Sequence, residues 1–135
     1  MNPGVVMSCA LAPPMSFLRG LFTITITALI NRGLGEEDRA EQQLQTAERI
    51  VGHARINGID NADIYYSLAC LFAMRNESQR ALASLQQAYD KGFRLLWLLD
   101  QDGRLDMIRN QKLFQDIHQK ARAEVARAGQ AVSSL

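Results

Sequence analysis

The chain has 135 residues, of which 47% are hydrophobic and 21% charged, with a formal net charge of +1. That is the balance of one globular domain able to bury a core, and so small a charge argues against an electrostatic grip on nucleic acid or an acidic membrane surface. Cys9 and Cys70 are the only cysteines, far apart and without companion histidines, which leaves neither a disulfide framework nor a zinc spacing.

All three prolines fall within residues 1–16 and no helical periodicity accompanies them, so a disordered leader is expected there. Residues 21–30, LFTITITALI, are apolar but too few to cross a bilayer, which takes roughly 20 residues of helix. Read with Arg19 before them and Gly33-Leu34-Gly35 after, they could serve as a secretory signal within residues 1–35. Pro13-Pro14 and Arg32 fit that poorly, so the expected location is cytoplasmic, with export as the alternative. The alternation Ile24-Thr25-Ile26-Thr27 favours a strand. No second strand-like segment follows to pair with it, and a helix over 17–32 is expected instead.

From Glu36 to Arg55, Leu44, Ala47, Val51 and Ala54 recur at spacings of three and four, the signature of one helix face. Glu36, Glu37 and Asp38 crowd the start, where the helix dipole favours acids, and Gly58 follows the end. Residues 61–74 make a second, more apolar helix with Asn61 or Asp63 as cap. A third covers 79–91, with Ala81, Leu85, Ala88 and Tyr89 inward and Gly92 as terminator. Residues 93–99 form a short apolar turn of helix. Leu113, Phe114, Ile117, Ala121 and Val125 define a last amphipathic helix from near Asn110, and the tail over 128–135 is expected to fray. About five helices in antiparallel hairpins result, an all-α fold.

Tyr65-x-x-Leu68-Ala69-x-x-Phe72 followed by Ala81-x-x-x-Leu85-x-x-Ala88 resembles the tetratricopeptide repeat (TPR), a helix-turn-helix unit of about 34 residues. The repeat covers 62–95. A degenerate copy over 21–57 is expected from Ile24, Ala28, Gly35, Ala40, Leu44 and Ala47, each standing 41 residues before its counterpart. Seven extra residues then lengthen the helix that begins at Glu36. The ending FRLLWLLDQDGRLDMIRNQKLFQDI is similar to the segment that closes many bacterial TPR arrays, with closing helices over 96–127. The resemblance implies a right-handed superhelix over 17–127, acting as a non-enzymatic scaffold that binds a protein or peptide segment on its concave face. The matching face positions are Asp63, Tyr66, Cys70 and Ala73. Residues 61–74 contain no Lys or Arg, so a clamp for a partner's C-terminal carboxylate is not expected; an apolar or aromatic contact centred on Tyr66 is. Burial of Tyr66 and Cys70 beneath the first hairpin is the competing expectation.

LDQDGRLD, residues 99–106, invites comparison with a calcium loop. With Gly103 in the glycine place, Leu98 and Arg109 occupy the first and twelfth ligand positions; with Asp100 first, Arg104 stands fifth. Each register sets a cation where the ion needs an oxygen. Asp100, Asp102 and Asp106 therefore read as the solvated acids of a turn. His53 and His118 have no nucleophile motif beside them, and Gly33-x-Gly35 lacks the remainder of a phosphate loop. No enzyme, cofactor or metal is expected. Trp97, among four leucines, reads as a core anchor; if exposed, it implies self-association. The alternative function is accordingly a structural homodimer assembled through the apolar N-terminal helix.

Overall fold

The structure, a computed structural model, describes residues 14–133, with side chains from Arg19 onward. Among the described residues the fold is all-α. In chain order come α1 (Pro14–Gly33), α2 (Glu37–Ile56), α3 (Ala62–Met74), α4 (Ser78–Asp90), the short α5 (Leu96–Gln101), a 3-10 helix (Gly103–Ile108) and α6 (Lys112–Ser133). No described helix is long and apolar enough to cross a membrane. Cys9 and most of the expected leader lie outside the described residues, whereas residues 14–16 belong to α1. At the other end, α6 continues past Gly129, where fraying was expected, and the Ser133 hydroxyl donates to the Gly129 carbonyl at 3.0 Å.

The strand-like alternation of residues 24–27 lies inside α1. Threonine is a poor helix former, but here each hydroxyl finds an acceptor one turn back: Thr23 on Arg19, Thr25 on Leu21 and Thr27 on Thr23, at 2.9, 3.0 and 2.7 Å. The side chains thus close on their own helix and ask nothing of a neighbouring strand.

Two hairpins, α1–α2 and α3–α4, repeat one another at the turn. Gly35 donates to the Arg32 carbonyl and Glu36 to Asn31; 41 residues on, Asn76 donates to Ala73 and Glu77 to Phe72. Gly35 and Asn76 both take positive φ, +82° and +62°, the left-handed step that Gly and Asn supply most readily. Each turn ends in the same surface pair, Arg39 with Glu36 and Arg80 with Glu77. The small residues at matched places, Ala28 and Ala69, Ala40 and Ala81, are fully buried, which brings the helices of each hairpin close together.

The far ends of α2 and α4 match at a different offset. Gly58 donates to Arg55 and Ile59 to Ala54; Gly92 donates to Tyr89 and Phe93 to Ala88, a spacing of 34. The discrepancy is absorbed inside α2, which has 20 residues against 13 in α4. Seven residues are close to two full turns, so the buried stripe Ala40, Leu44, Ala47, Val51, Ala54 keeps to one face. The consequence is an offset between hairpins. Arg75, at the second turn, pairs with Glu41 and Glu48 in the body of α2 at 2.9 and 2.5 Å, so the tip of the first hairpin overhangs the second by about two turns.

A third pair follows the same plan with a broken first member. α6 starts at Lys112, 34 residues after Ser78 starts α4, and α5 with the 3-10 helix occupies the place that α3 holds in the second hairpin. α3 is the central helix, buried over almost its whole length, with α1, α2, α4 and the 3-10 helix packed around it.

Candidate functional site

The two offsets carry the expected face from α3 to the other hairpins. Counting back 41 from Asp63, Tyr66, Cys70 and Ala73 gives Phe22, Thr25, Leu29 and Arg32 on α1. Counting forward 34 gives Trp97, Asp100, Arg104 and Met107 in the third pair. In the folded molecule most of these side chains meet. A recess of about 160 Å³ is lined by Phe22, Asp63, Tyr66, Ser67, Phe93, Leu95, Leu98 and Arg104. A second, of about 200 Å³, shares Phe22 and Leu98 and adds Ile26, Trp97, Gln101, Asp102 and Gly103. A third, beneath the overhanging tip, includes Leu29, Arg32, Met74, Arg104 and Met107.

Where these recesses adjoin stands the pair Asp102–Arg104, whose side chains are only 2% and 3% exposed. Arg104 donates to Asp102 through Nε at 2.9 Å and Nη2 at 2.5 Å, and through Nη1 to the Thr25 hydroxyl at 2.7 Å. The Tyr66 hydroxyl donates to Asp102 at 2.6 Å, and the ring of Tyr66 stacks on Phe93 with centroids 4.2 Å apart. Phe22 covers the guanidinium at 4.7 Å. Thr25, whose hydroxyl donates to its own helix at Leu21 and accepts from Arg104, therefore ties α1 across to the third pair.

Burial would raise the Asp102 carboxyl, but the Arg104 guanidinium and the Tyr66 hydroxyl hold it below the usual carboxylate range. Burial likewise acts to discharge Arg104, and its partners keep it charged. Tyr66 is raised, first by burial and then by the charges beside it. The Cys70 thiol, enclosed completely, is pushed up to about 12 by burial, far from the thiolate that nucleophilic or metal-binding chemistry requires. No described group of three His, Cys, Asp or Glu is placed to hold a metal.

Three expectations need correction on this geometry. Cys70 and Ala73 have no exposed surface, because α1 and the 3-10 helix pack over that side of α3, so that for Tyr66 and Cys70 the competing expectation of burial beneath the first hairpin holds; Tyr66 offers a recess only its edge, and Asp63 alone among the four stands in solvent. Asp102 is not a solvated turn acid but the buried counter-ion of Arg104. Trp97 is not a core residue: it is 60% exposed, with Phe22 at 43% and Leu95 at 46% beside the same recesses. Asp100 turns away from them to His118 and Arg122 on α6, and His53 is exposed on α2.

Arg109 adds a second tie on α5 beside the one that Asp100 makes to α6. It donates to the carbonyls of Leu99 and Asp102 and to the Asp106 carboxylate, tying the end of α5 to the start of the 3-10 helix and fixing where Leu95 and Leu98 stand. No family model, curated protein or solved structure matches the chain.

Proposed function

We propose that the chain is a non-enzymatic protein-interaction module of the TPR type, binding a protein or peptide segment on the face where α1, α3 and α5 converge. The observation that carries this reading is the cluster Phe22, Leu95 and Trp97, large apolar side chains left in water around one set of recesses. Their exposed parts come to about 300 Å² of apolar surface, the size of the largest apolar patch on a typical single chain, which is often a functional one. The recesses stand on the equivalent positions of three successive elements, which is how a helical repeat builds a continuous binding face. The right-handed superhelical stacking of such arrays belongs to the same proposal. The buried polar cluster beneath has a mechanical part in it: Asp102 and Arg104 satisfy one another and hold α1 against the third pair. Preorganising the face in this way spares a partner the cost of ordering it.

The test is a panel of short peptides, each bearing one Trp, Phe, Leu or Lys in a Gly-Ser background, titrated into the isotopically labelled protein. Apolar members should move the amide resonances of Ser67, Leu98 and Gln101, and the Lys member should not. Phe22→Glu or Leu98→Glu should abolish the shifts, while Ile56→Glu, at an exposed site on the far end of α2, should leave them intact. Shifts that survive Phe22→Glu and Leu98→Glu would place binding elsewhere.

A further inference from the structure

The chemistry of the smaller recess specifies its occupant more closely than "apolar". Its floor is the stacked Tyr66–Phe93 pair, one wall is Phe22 lying over the Arg104 guanidinium, and Leu98 closes the other. Asp63 and Ser67 stand at the lining as hydrogen-bond acceptors. Asp63 forms no ion pair with a described side chain. About 160 Å³ is the room that one large aromatic side chain fills. A flat ring, with an N–H at its edge to reach the carboxylate or the hydroxyl, is the group these features suit, because a buried indole needs both apolar contact and one acceptor.

The chain carries one such group, and carries it beside the recess. Trp97 occupies on α5 the position that Asp63 occupies on α3, lines the adjoining recess and is left 60% exposed. A knob next to its own hole is the arrangement a two-fold contact uses, since each copy then offers both halves. We infer that two copies of this chain pair through this face, with Trp97 of each seated in the other's Phe22–Leu98 recess and its indole N–H on Asp63 or Ser67. Two patches of about 300 Å² bring about 600 Å² of apolar surface together, and the exposed Arg19, Asp63 and Gln101 at their margin extend the contact as a polar rim towards the roughly 1,200 Å² at which specific interfaces begin. This inference rests on the interaction reading above and names the partner of that face.

Sedimentation equilibrium on the full chain, read together with the emission of its single tryptophan, tests the pairing. The expected result is a monomer–dimer equilibrium, with Trp97 emission moving to shorter wavelength over the same concentration range. Trp97→Ala should weaken dimerisation about thirtyfold or more, the effect of losing a central aromatic anchor, with unchanged helicity because the side chain supports little of the fold. Ser67→Arg should fill the recess and weaken dimerisation equally. Mixing the two variants should restore partial association, since one hole and one knob remain intact between them. A strict monomer, or a dimer indifferent to Trp97→Ala, overturns the pairing. If the chain is monomeric but the apolar peptides above still shift Ser67 and Leu98, only the identity of the partner is wrong; if those peptides also fail, the interaction reading falls with it.

Discussion

Replacing Arg104 by Met gives the sharpest account of what the buried pair does. The substitution keeps most of the volume and removes a guanidinium that is 3% exposed, leaving Asp102 without a counter-ion. Breaking a buried pair in this way costs about 3–5 kcal/mol. The protein can limit that loss by protonating Asp102, which at pH 7 costs about 4 kcal/mol for a carboxyl of ordinary pKa. The two figures agree, and against a total of about 5–15 kcal/mol for a domain the variant should be close to unfolding. They also fix how the deficit changes with acidity. Protonation becomes easier as the pH falls, so the gap between wild type and Arg104→Met should shrink by up to about 1.4 kcal/mol per pH unit between pH 7 and pH 4. Urea unfolding followed by circular dichroism measures it. The triple variant Tyr66→Phe, Asp102→Leu, Arg104→Met removes both charges and the phenol together, leaves the Thr25 hydroxyl its bond to the Leu21 carbonyl, and should recover most of the stability, since no charge is then left alone. A loss under about 1 kcal/mol for Arg104→Met, or a triple variant no better than the single, would refute the assignment of this pair as a buried, mutually dependent unit.

With the thiol of Cys70 raised to about 12 in the fold, the folded state favours the protonated form, so this group's contribution is complete below the unfolded value of about 8.5 and is lost as the pH climbs towards 12; Cys70→Ala should flatten the alkaline fall in urea midpoint. In a Cys9→Ser background, Cys70 should react with a thiol reagent only at the rate of structural opening, and rapid stoichiometric labelling at pH 8 would contradict its burial. Gly35→Val should cost about 1–3 kcal/mol because Gly35 has φ +82°, whereas Asn76→Gly should be neutral or stabilising by under about 1 kcal/mol; both are read from thermal unfolding. Arg109→Ala should cost about 1–3 kcal/mol through the lost carbonyl contacts and lower the fluorescence anisotropy of Trp97, since α5 loses the side chain that ties its end.

Much of the fold is legible in the residues. Helix-period spacing marks the buried stripe of α2, Asn61 caps α3 through its bond to the Ile64 amide, and the 41-residue correspondences survive as matched turns. α1 was legible only through the absence of a partner strand, since its threonines hide their helical role until each hydroxyl is seen bonded to its own backbone. The site was half legible. Asp63 and Tyr66 mark its level on α3, but which of the four face positions stay open depends on what packs across them, and that is a property of α1 and the third pair together. Asp102 was misread because a polar turn beside glycine ordinarily points into water; its burial follows from Arg104 standing two residues on and Tyr66 waiting across the core. The missing signal was present all the same: carried through offsets of 41 and 34, the face positions lead to Phe22, Arg104 and Trp97.

The measurement closest to the central claim is a hydrogen-exchange footprint of the full chain, comparing dilute protein with protein at a concentration or peptide load that saturates binding. Added protection is expected on α1 around Phe22, on α3 around Ser67 and over 93–104, with α2 and α6 unchanged. Protection gained on α2 or α6 instead, with residues 93–104 unaffected, would contradict that claim.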